Sequence, residues 1–223
     1  MVNVATFVIS TLCNTPFRTS KPFNPLWCET FEMDRTYDRG WRAIAEQVSH
    51  HPPISAIHAE GNGWILDEDM CVRSNFQATA MKIFPEGTIS IFFPATHSFY
   101  HWTMKDIKTC VKGFIIGPIT VHNEGDCVIK DGRVIWTRKA PPPESELMYN
   151  FTAMAIELNE PEEGVAPTDS RLRPDMRLME NGDWAAANDE KARLEEKQRA
   201  DTKKYQVMRL ETDIQLQITI VIE

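Results

Sequence analysis

Turn signals at short intervals dominate the first 138 residues and limit what they can fold into. Gly61-Asn62-Gly63, Glu86-Gly87, Asn123-Glu124-Gly125 and Asp131-Gly132 separate short apolar stretches. Ile89-Ser90-Ile91-Phe92-Phe93 alternates as a half-buried strand does, and Ala78–Phe84, Val111–Ile116 and Arg133–Thr137 are shorter candidates. Strands at a spacing of about 8–12 residues predict an antiparallel meander that belongs to a barrel.

Composition changes at Ala140-Pro141-Pro142-Pro143, a stiff connector. Beyond it, Leu147, Phe151, Met154, Ala155 and Leu158 fall at helical spacing, with Ser145 as the expected N-cap. Residues 159–165 form an acidic loop. Pro174 suits a first helical turn, Gly182 closes that helix, and Trp184 to about Leu210 reads as a long charged helix. The tail Gln215–Glu223 alternates and ends in Ile220-Val221-Ile222, a β-type pattern. The expected class is α+β: an incomplete antiparallel barrel-like sheet over about 1–138, then helices over about 145–210.

At 223 residues the chain can bury one substantial core, so one domain is expected. A net charge of −8 supplies no global basic field for nucleic acid or anionic lipid, so any phosphate recognition must be local. Five scattered cysteines without a Cys-x-x-Cys pair argue against a disulfide framework and a zinc ribbon. Residues 1–13 lack a basic start and are interrupted by Asn3, Thr6, Ser10 and Thr11, unlike a signal peptide. No run of 18 apolar residues occurs, so no span of a bilayer is expected.

Glu46-Gln47-Val48-Ser49-His50-His51-Pro52-Pro53 is the unusual stretch. Each proline removes a donor, fixes its own φ and restricts its predecessor, so ladder pairing is expected to break here. Two imidazoles on stiff extended backbone offer N–H donors, and charge when protonated, to an anion with several oxygens. Solvated turn histidines are the plainer alternative.

These eight residues resemble the fingerprint of the oxysterol-binding protein family. Two further blocks resemble the same family in the same order. One is Phe17-Arg18-Thr19-Ser20-Lys21-Pro22-Phe23-Asn24-Pro25 with Glu29-Thr30-Phe31-Glu32. The other is Ala166–Asp175 with Arg177–Glu180 and Leu194–Arg199, worded most like the branch containing oxysterol-binding protein itself.

The resemblance implies an incomplete antiparallel barrel whose apolar tunnel takes a sterol or acyl tail beneath a lid. It also implies a phosphoinositide, typically phosphatidylinositol 4-phosphate, whose head group sits at the mouth. No bond would be made or broken. The protein would carry sterol between membranes in exchange for the phosphoinositide, as a cytoplasmic, peripheral visitor to contact sites such as those of endoplasmic reticulum and Golgi. No cofactor and no nucleic acid partner are implied.

By the same resemblance the head group is held by Lys21, His50, His51, Lys191, Glu195 and Arg199. Lys191, Glu195 and Arg199 stand at i, i+4 and i+8, so on a helix they drift by about 80° and share a face about 12 Å long. Eleven of the sixteen residues 189–204 are charged, so a salt-bridged solvated face explains them equally well on pattern alone. Lys21 alone would be a surface charge. Asn24 serves a turn equally well, and Arg171 and Arg173 are expected to brace their loop through Asp169 or Asp175.

Other constellations carry less. His97 and His101 have i, i+4 spacing but lack a zincin's glutamate and helical context, so no metal site is assigned. A metal-dependent enzyme using them with His58 and His122 is a distant third reading, which stoichiometric zinc would reveal. No Gly-x-Ser-x-Gly elbow, P-loop or dinucleotide glycine motif is present, and no catalytic residue is assigned. Trp41, Trp64, Phe76, Phe92, Phe93 and Trp102 are expected in the core.

The sequence also departs from the family pattern. It is expected to begin at a strand, without the family's N-terminal lid. Between Ile129 and Val134 it passes from the family's middle strands almost directly to its distal segment. Past about Lys204 the resemblance stops. Trp27-Cys28 stand where Leu-Gly is common. The expected organisation is a partial lipid-binding domain over 1–204, with strands over 1–138, a connector over 139–144 and helices over 145–204. An atypical tail over 205–223 follows. Unpaired strand edges and a tunnel open to water are then expected, with head-group residues kept and lipid retention impaired. The alternative function is a phosphoinositide-binding or sensing remnant without transfer.

Overall fold

The computed structural model describes residues 2–11, 23–77, 80–104, 108–113, 120–124, 143–148 and 151–222. The chain divides into two compact units, Met1–Arg171 and Leu172–Glu223.

The first unit opens with helix α1, Val2–Thr11, where a strand was expected. Val4, Phe7 and Val8 recur at i, i+3 and i+4, a helical and not a two-residue period. Ser10 and Thr11 hydroxyls donate back to the Phe7 and Val8 carbonyls, both at 2.7 Å, satisfying last-turn acceptors.

Among the described residues an eight-stranded antiparallel sheet follows, in the order β1-β2-β3-β4-β5-β7-β8, with β6 also on β5. Its strands are β1 Thr30–Arg35, β2 Trp41–His50, β3 Pro53–Gly61, β4 Trp64–Gln77, β5 Ala80–Phe93, β6 Ser98–Trp102, β7 Lys108–Lys112 and β8 Thr120–Glu124. The barrel-like meander read from the turn signals is therefore present. Gly61 pairs with Trp64 across the two-residue loop Asn62-Gly63, with Gly63 at φ 84°, the conformation such hairpin loops favour.

The Glu86-Gly87 turn does not form. β5 runs unbroken through it, paired with β4 from Ile65↔Phe92 to Gln77↔Ala80. A Cβ on Gly87 (φ 128°) would lie 2.0 Å from the Asp69 carbonyl oxygen, so this glycine serves close strand approach and not a turn. β5 then divides its partners. Ile89–Phe93 pair with β6, and Ala80–Ile83 pair with β7. Of the shorter strand candidates, 111–112 lie in β7, while 114–116 and 133–137 fall outside the described residues.

Alternation sorts the sheet into two faces. Ala59, Leu66 and Ile89 are buried on one, with Ala43, Trp64, Ile91, Trp102 and Met104 packed against them. Phe7 of α1 meets Trp102 edge-on at 6.3 Å. Phe76, expected in the core, is instead 57% exposed. It lies ten residues along β4 from Leu66, about 33 Å of extended strand, beyond the reach of this cluster.

The outer edge of β1 is not bare. The Thr30 N–H donates to the Thr168 carbonyl (3.0 Å), the Glu32 N–H to Asp169 Oδ2 (2.9 Å), and the Ala166 N–H to Glu32 Oε1 (3.3 Å). The outer edge of β1 is thus covered by residues 166–171, as sheets commonly protect their ends. The edges expected from the missing middle strands fall beside residues 125–142, outside the described residues.

Of the expected connector, 139–142 lie outside the described residues and 143–144 belong to a 3-10 turn, Pro143–Met148; helix α2, Ala153–Glu157, follows. Thr152 caps α2, its Oγ1 accepting from the Ala155 N–H at 3.2 Å, where Ser145 was expected. Ser145 lies buried within the 3-10 turn, seven residues too early.

The second unit holds helix α3, Pro174–Glu180, and helix α4, Trp184–Ile222. Pro174 opens α3, and Gly182, at φ 83°, follows it as expected. The β-type tail is helical instead. A strand needs a partner edge, whereas an established helix adds one hydrogen bond per residue fixed.

Candidate functional site

The fingerprint folds as the β2–β3 hairpin. Pairing does not break as the prolines predicted. The ladder continues to His50↔Pro53, and only His51-Pro52 form the turn. Pro53 enters β3 at its first residue, where a missing N–H costs least. The His51–Pro52 peptide is cis.

A bulge precedes the histidines in β2. Gln47 pairs with Ser55 and Ser49 with Ile54, so Val48 is the extra residue, and it is exposed. Gln47, 5% exposed, holds the irregularity from beneath. Its Nε2 donates to the Ser49 carbonyl at 2.8 Å, and its Oε1 accepts from Ser55 Oγ at 2.6 Å. Beyond the bulge the His50 and His51 rings stand 4.6 Å apart at 67°. Two imidazoles so placed can offer N–H groups to one polyoxyanion.

The preceding segment packs against the same bulge. Gln47 N–H donates to the Glu29 carbonyl and Cys28 N–H to the Gln47 carbonyl, both at 2.9 Å. Trp27 Nε1 donates to the Val48 carbonyl at 3.3 Å. A turn closes from Leu26 to Glu29 through the Glu29 N–H (3.0 Å), with Cys28 at φ 62° in its third position. Glycine is favoured at such a position. The Trp27-Cys28 substitution therefore places a side chain where the backbone prefers none. Burial, and then the Glu46 carboxylate, push the Cys28 thiol pKa up.

On α4, Glu195 lies between the two cations predicted to flank it. Lys191 Nζ is 3.2 Å from Glu195 Oε1 and Arg199 Nη2 is 3.5 Å from Glu195 Oε2. Arg199 Nη1 also pairs with Glu196 at 2.9 Å. Exposed pairs of this kind contribute on the order of 0–1 kcal/mol, so an incoming phosphate can re-pair both cations at little cost.

Lys21 lies outside the described residues. Arg171 and Arg173 brace their segment as expected. Arg171 Nε donates to Asp169 Oδ1 (2.9 Å) and Arg173 Nη2 to Asp175 Oδ2 (2.6 Å), all four side chains being buried. His97 ends a 3-10 turn and His101 lies on β6. Among the described residues no group of three or more His, Cys, Asp or Glu is placed to hold a metal ion. No described helix is long and apolar enough to cross a membrane.

Two contributors were not singled out from sequence: Gln47 as the brace, and Trp27 as the clamp on Val48. Gln47 lay inside the fingerprint itself. The signal for Trp27 was its unusual bulk beside the Lys21 block.

Known proteins share this fold. The oxysterol-binding protein family model matches residues 1–133 and again 130–214. Mouse oxysterol-binding protein 2 is 34% identical over 268 aligned positions covering 87% of this chain. Human oxysterol-binding protein-related protein 6 is 34% identical over 260, covering 90%. Both alignments exceed the chain's own 223 residues, so these relatives carry inserted segments that this chain lacks. The chain spans 29% and 28% of their respective lengths. Among solved structures, the yeast (Saccharomyces cerevisiae) Osh3 domain in complex with PI(4)P superimposes with a TM-score of 0.74 at 28% identity. The match covers 91% of this chain and 69% of the Osh3 chain. The Osh1 domain in complex with cholesterol gives 0.76 at 27%, covering 92% and 66%. The chain belongs to the oxysterol-binding protein family.

Proposed function

We propose that the protein binds lipids, holding the phosphorylated head group of a phosphoinositide such as phosphatidylinositol 4-phosphate. The observation that carries this is the braced hairpin end, where His50 and His51 stand with rings 4.6 Å apart. A relative of the same fold is solved with PI(4)P and another with cholesterol, which supports the lipid class. The assigned ligands are Lys21, His50 and His51 in the first unit and Lys191, Glu195 and Arg199 in the second. The cations and imidazoles supply charge and N–H donors, and Glu195 accepts from inositol hydroxyls or orients a cation. Transfer of a sterol between membranes in exchange for the phosphoinositide is the fuller activity proposed, with the protein visiting contact sites from the cytoplasm.

The family match in two segments meeting near residue 130 favours a second reading, in which the chain binds the head group and carries no second lipid. Extraction of labelled sterol and labelled phosphatidylinositol 4-phosphate from liposomes separates the two. Extraction of both, each lost on competition with the other, supports exchange. Head-group binding without extraction supports the second reading. Equal phosphoinositide binding by the native chain and His50→Ala/His51→Ala would sink the head-group assignment itself.

A further inference from the structure

The sheet face opposite the Ala59–Leu66–Ile89 core carries a groove with a different chemistry. Register places Glu46, Ala56, Asp69 and Thr88 in one cross-strand row, and Ile44, His58, Asp67 and Ser90 in the next. A concavity of about 410 Å³ opens over these rows. A second, of about 520 Å³, adjoins it over β1 and β2 and is walled by Glu162–Val165. The two share Ile44 and His58. At their junction the Ile44 side chain is 47% exposed.

Charge around this floor is one-sided. Among the described residues Arg42 is the only arginine or lysine lining either concavity, and it is taken up by Glu60. His58 is held by Asp67 at 2.7 Å. The Glu46, Asp69 and Glu163 carboxylates make no ion pair among the described residues. Ala56, Thr88 and Ser90 keep the floor low enough for an extended chain to lie along it. A polyanionic membrane surface is repelled by such a rim.

We propose that this groove docks an extended, lysine- and arginine-bearing segment of a partner protein, seating one apolar side chain on Ile44 between the two acidic ends. The β1 edge is already occupied by residues 166–171, so the segment lies across the sheet face and does not add a strand. Charge complementarity supplies register and on-rate, while the apolar contact supplies the anchor. The inference is independent of the phosphoinositide assignment, since the groove uses none of those residues.

The test uses the full chain and a fluorescein-labelled peptide of lysines and arginines around one leucine, followed by anisotropy at about 0.15 M salt. Saturable binding is expected, weakened about tenfold or more by Asp69→Asn/Glu163→Gln and by Ile44→Ser. The pair Glu144→Gln/Glu146→Gln, acidic and exposed elsewhere, is expected to bind as the native chain does. Carbodiimide coupling should join peptide lysines to Asp69 or Glu163. Three outcomes overturn the proposal: no saturable binding, equal weakening by the Glu144/Glu146 pair, or unchanged binding by the groove variants. Loss of anionic-vesicle binding in Asp69→Asn/Glu163→Gln would also overturn it, by making the face a membrane surface.

Discussion

Asp169 Oδ1 accepts from both the backbone N–H and the Nε of Arg171, each at 2.9 Å, while Oδ2 takes the Glu32 N–H of β1. The guanidinium in turn reaches Glu162 at 2.8 Å and lies 4.6 Å from the centre of the Phe31 ring. One buried ion pair thus fastens residues 162–171 along the edge of β1. Replacing Arg171 with methionine keeps the bulk but leaves Asp169 charged and buried without its cation. A loss of about 3–5 kcal/mol is expected in urea unfolding. Hydrogen exchange at Thr30 and Glu32 should accelerate beyond that of β3 amides.

The same pair sets an acid limit on stability. Burial alone raises the Asp169 pKa, but hydrogen bonds from Arg171 and from the backbone of Arg171 and Glu32 outweigh it, and the net direction is down. A carboxyl whose folded pKa is depressed contributes fully above its unfolded value, about 3.9. That contribution is lost as pH falls below about 4 towards the folded pKa. Unfolding free energy against pH should therefore drop steeply on this acid limb. Asp169→Asn, less stable near neutrality, should show a shallower drop, and an unchanged slope would remove Asp169 as its source.

Gly87 is a position where a single methyl group is excluded. Its φ of 128° disfavours any L side chain, and the atom in the way is backbone, the Asp69 carbonyl oxygen. Neither strand can yield without disturbing the long β4–β5 ladder. Gly87→Ala should cost about 3 kcal/mol or more. By contrast, Gly63→Ala meets nothing within 4 Å and carries only its own φ strain, so it should cost about 1 kcal/mol. Parallel denaturant titrations compare the two.

Gly87 also shows where sequence reading met its limit. A glycine beside a glutamate is written identically in a turn and at a close strand approach, and only the pairing of β4 decides between them. Asn62-Gly63 was legible because a two-residue hairpin is a local device. The Pro174 and Gly182 boundaries of α3 were legible for the same reason. The adjacency of the histidine pair, the shared face of Lys191, Glu195 and Arg199 and the Asp169–Arg171 brace were likewise written in adjacent or helically spaced residues. The head-group role proposed for the first two came from the family resemblance alone. Helix α1 was missed because its Val4–Phe7–Val8 period is one turn long. The α4 tail was missed because a short alternating stretch does not reveal that a helix already under way continues through it. Gln47 was missed as a brace because its role depends on Ser55, across the hairpin.

Cys28 occupies a left-handed position in the turn beside that hairpin, at a cost of about 1–2 kcal/mol for a residue with a Cβ. Glycine removes this cost and returns some of it as unfolded-state entropy. Cys28→Gly should therefore stabilise the protein by about 1 kcal/mol, read as a higher urea midpoint at unchanged slope. A lower midpoint would mean that the thiol packs favourably enough to outweigh the strain.

Gln47 links the fold to the proposed site. Its amide spans the bulge from Ser55 to the Ser49 carbonyl, one residue before the histidine pair. Gln47→Leu keeps the volume and leaves both partners unsatisfied, which should cost about 1–3 kcal/mol of stability. The bulge then loses the hydrogen bonds that brace it beside His50 and His51. Affinity for phosphatidylinositol 4-phosphate in liposomes should fall about tenfold, the size of effect expected when a supporting contact and not a ligand is removed. Ser55→Ala breaks only the bond to Oε1 and should fall between Gln47→Leu and the native chain. Circular dichroism on each variant at the binding temperature establishes that the folded form is the one measured. If Gln47→Leu is folded, destabilised and binds the phosphoinositide as tightly as the native chain, the bulge shapes the hairpin without aiming the histidines.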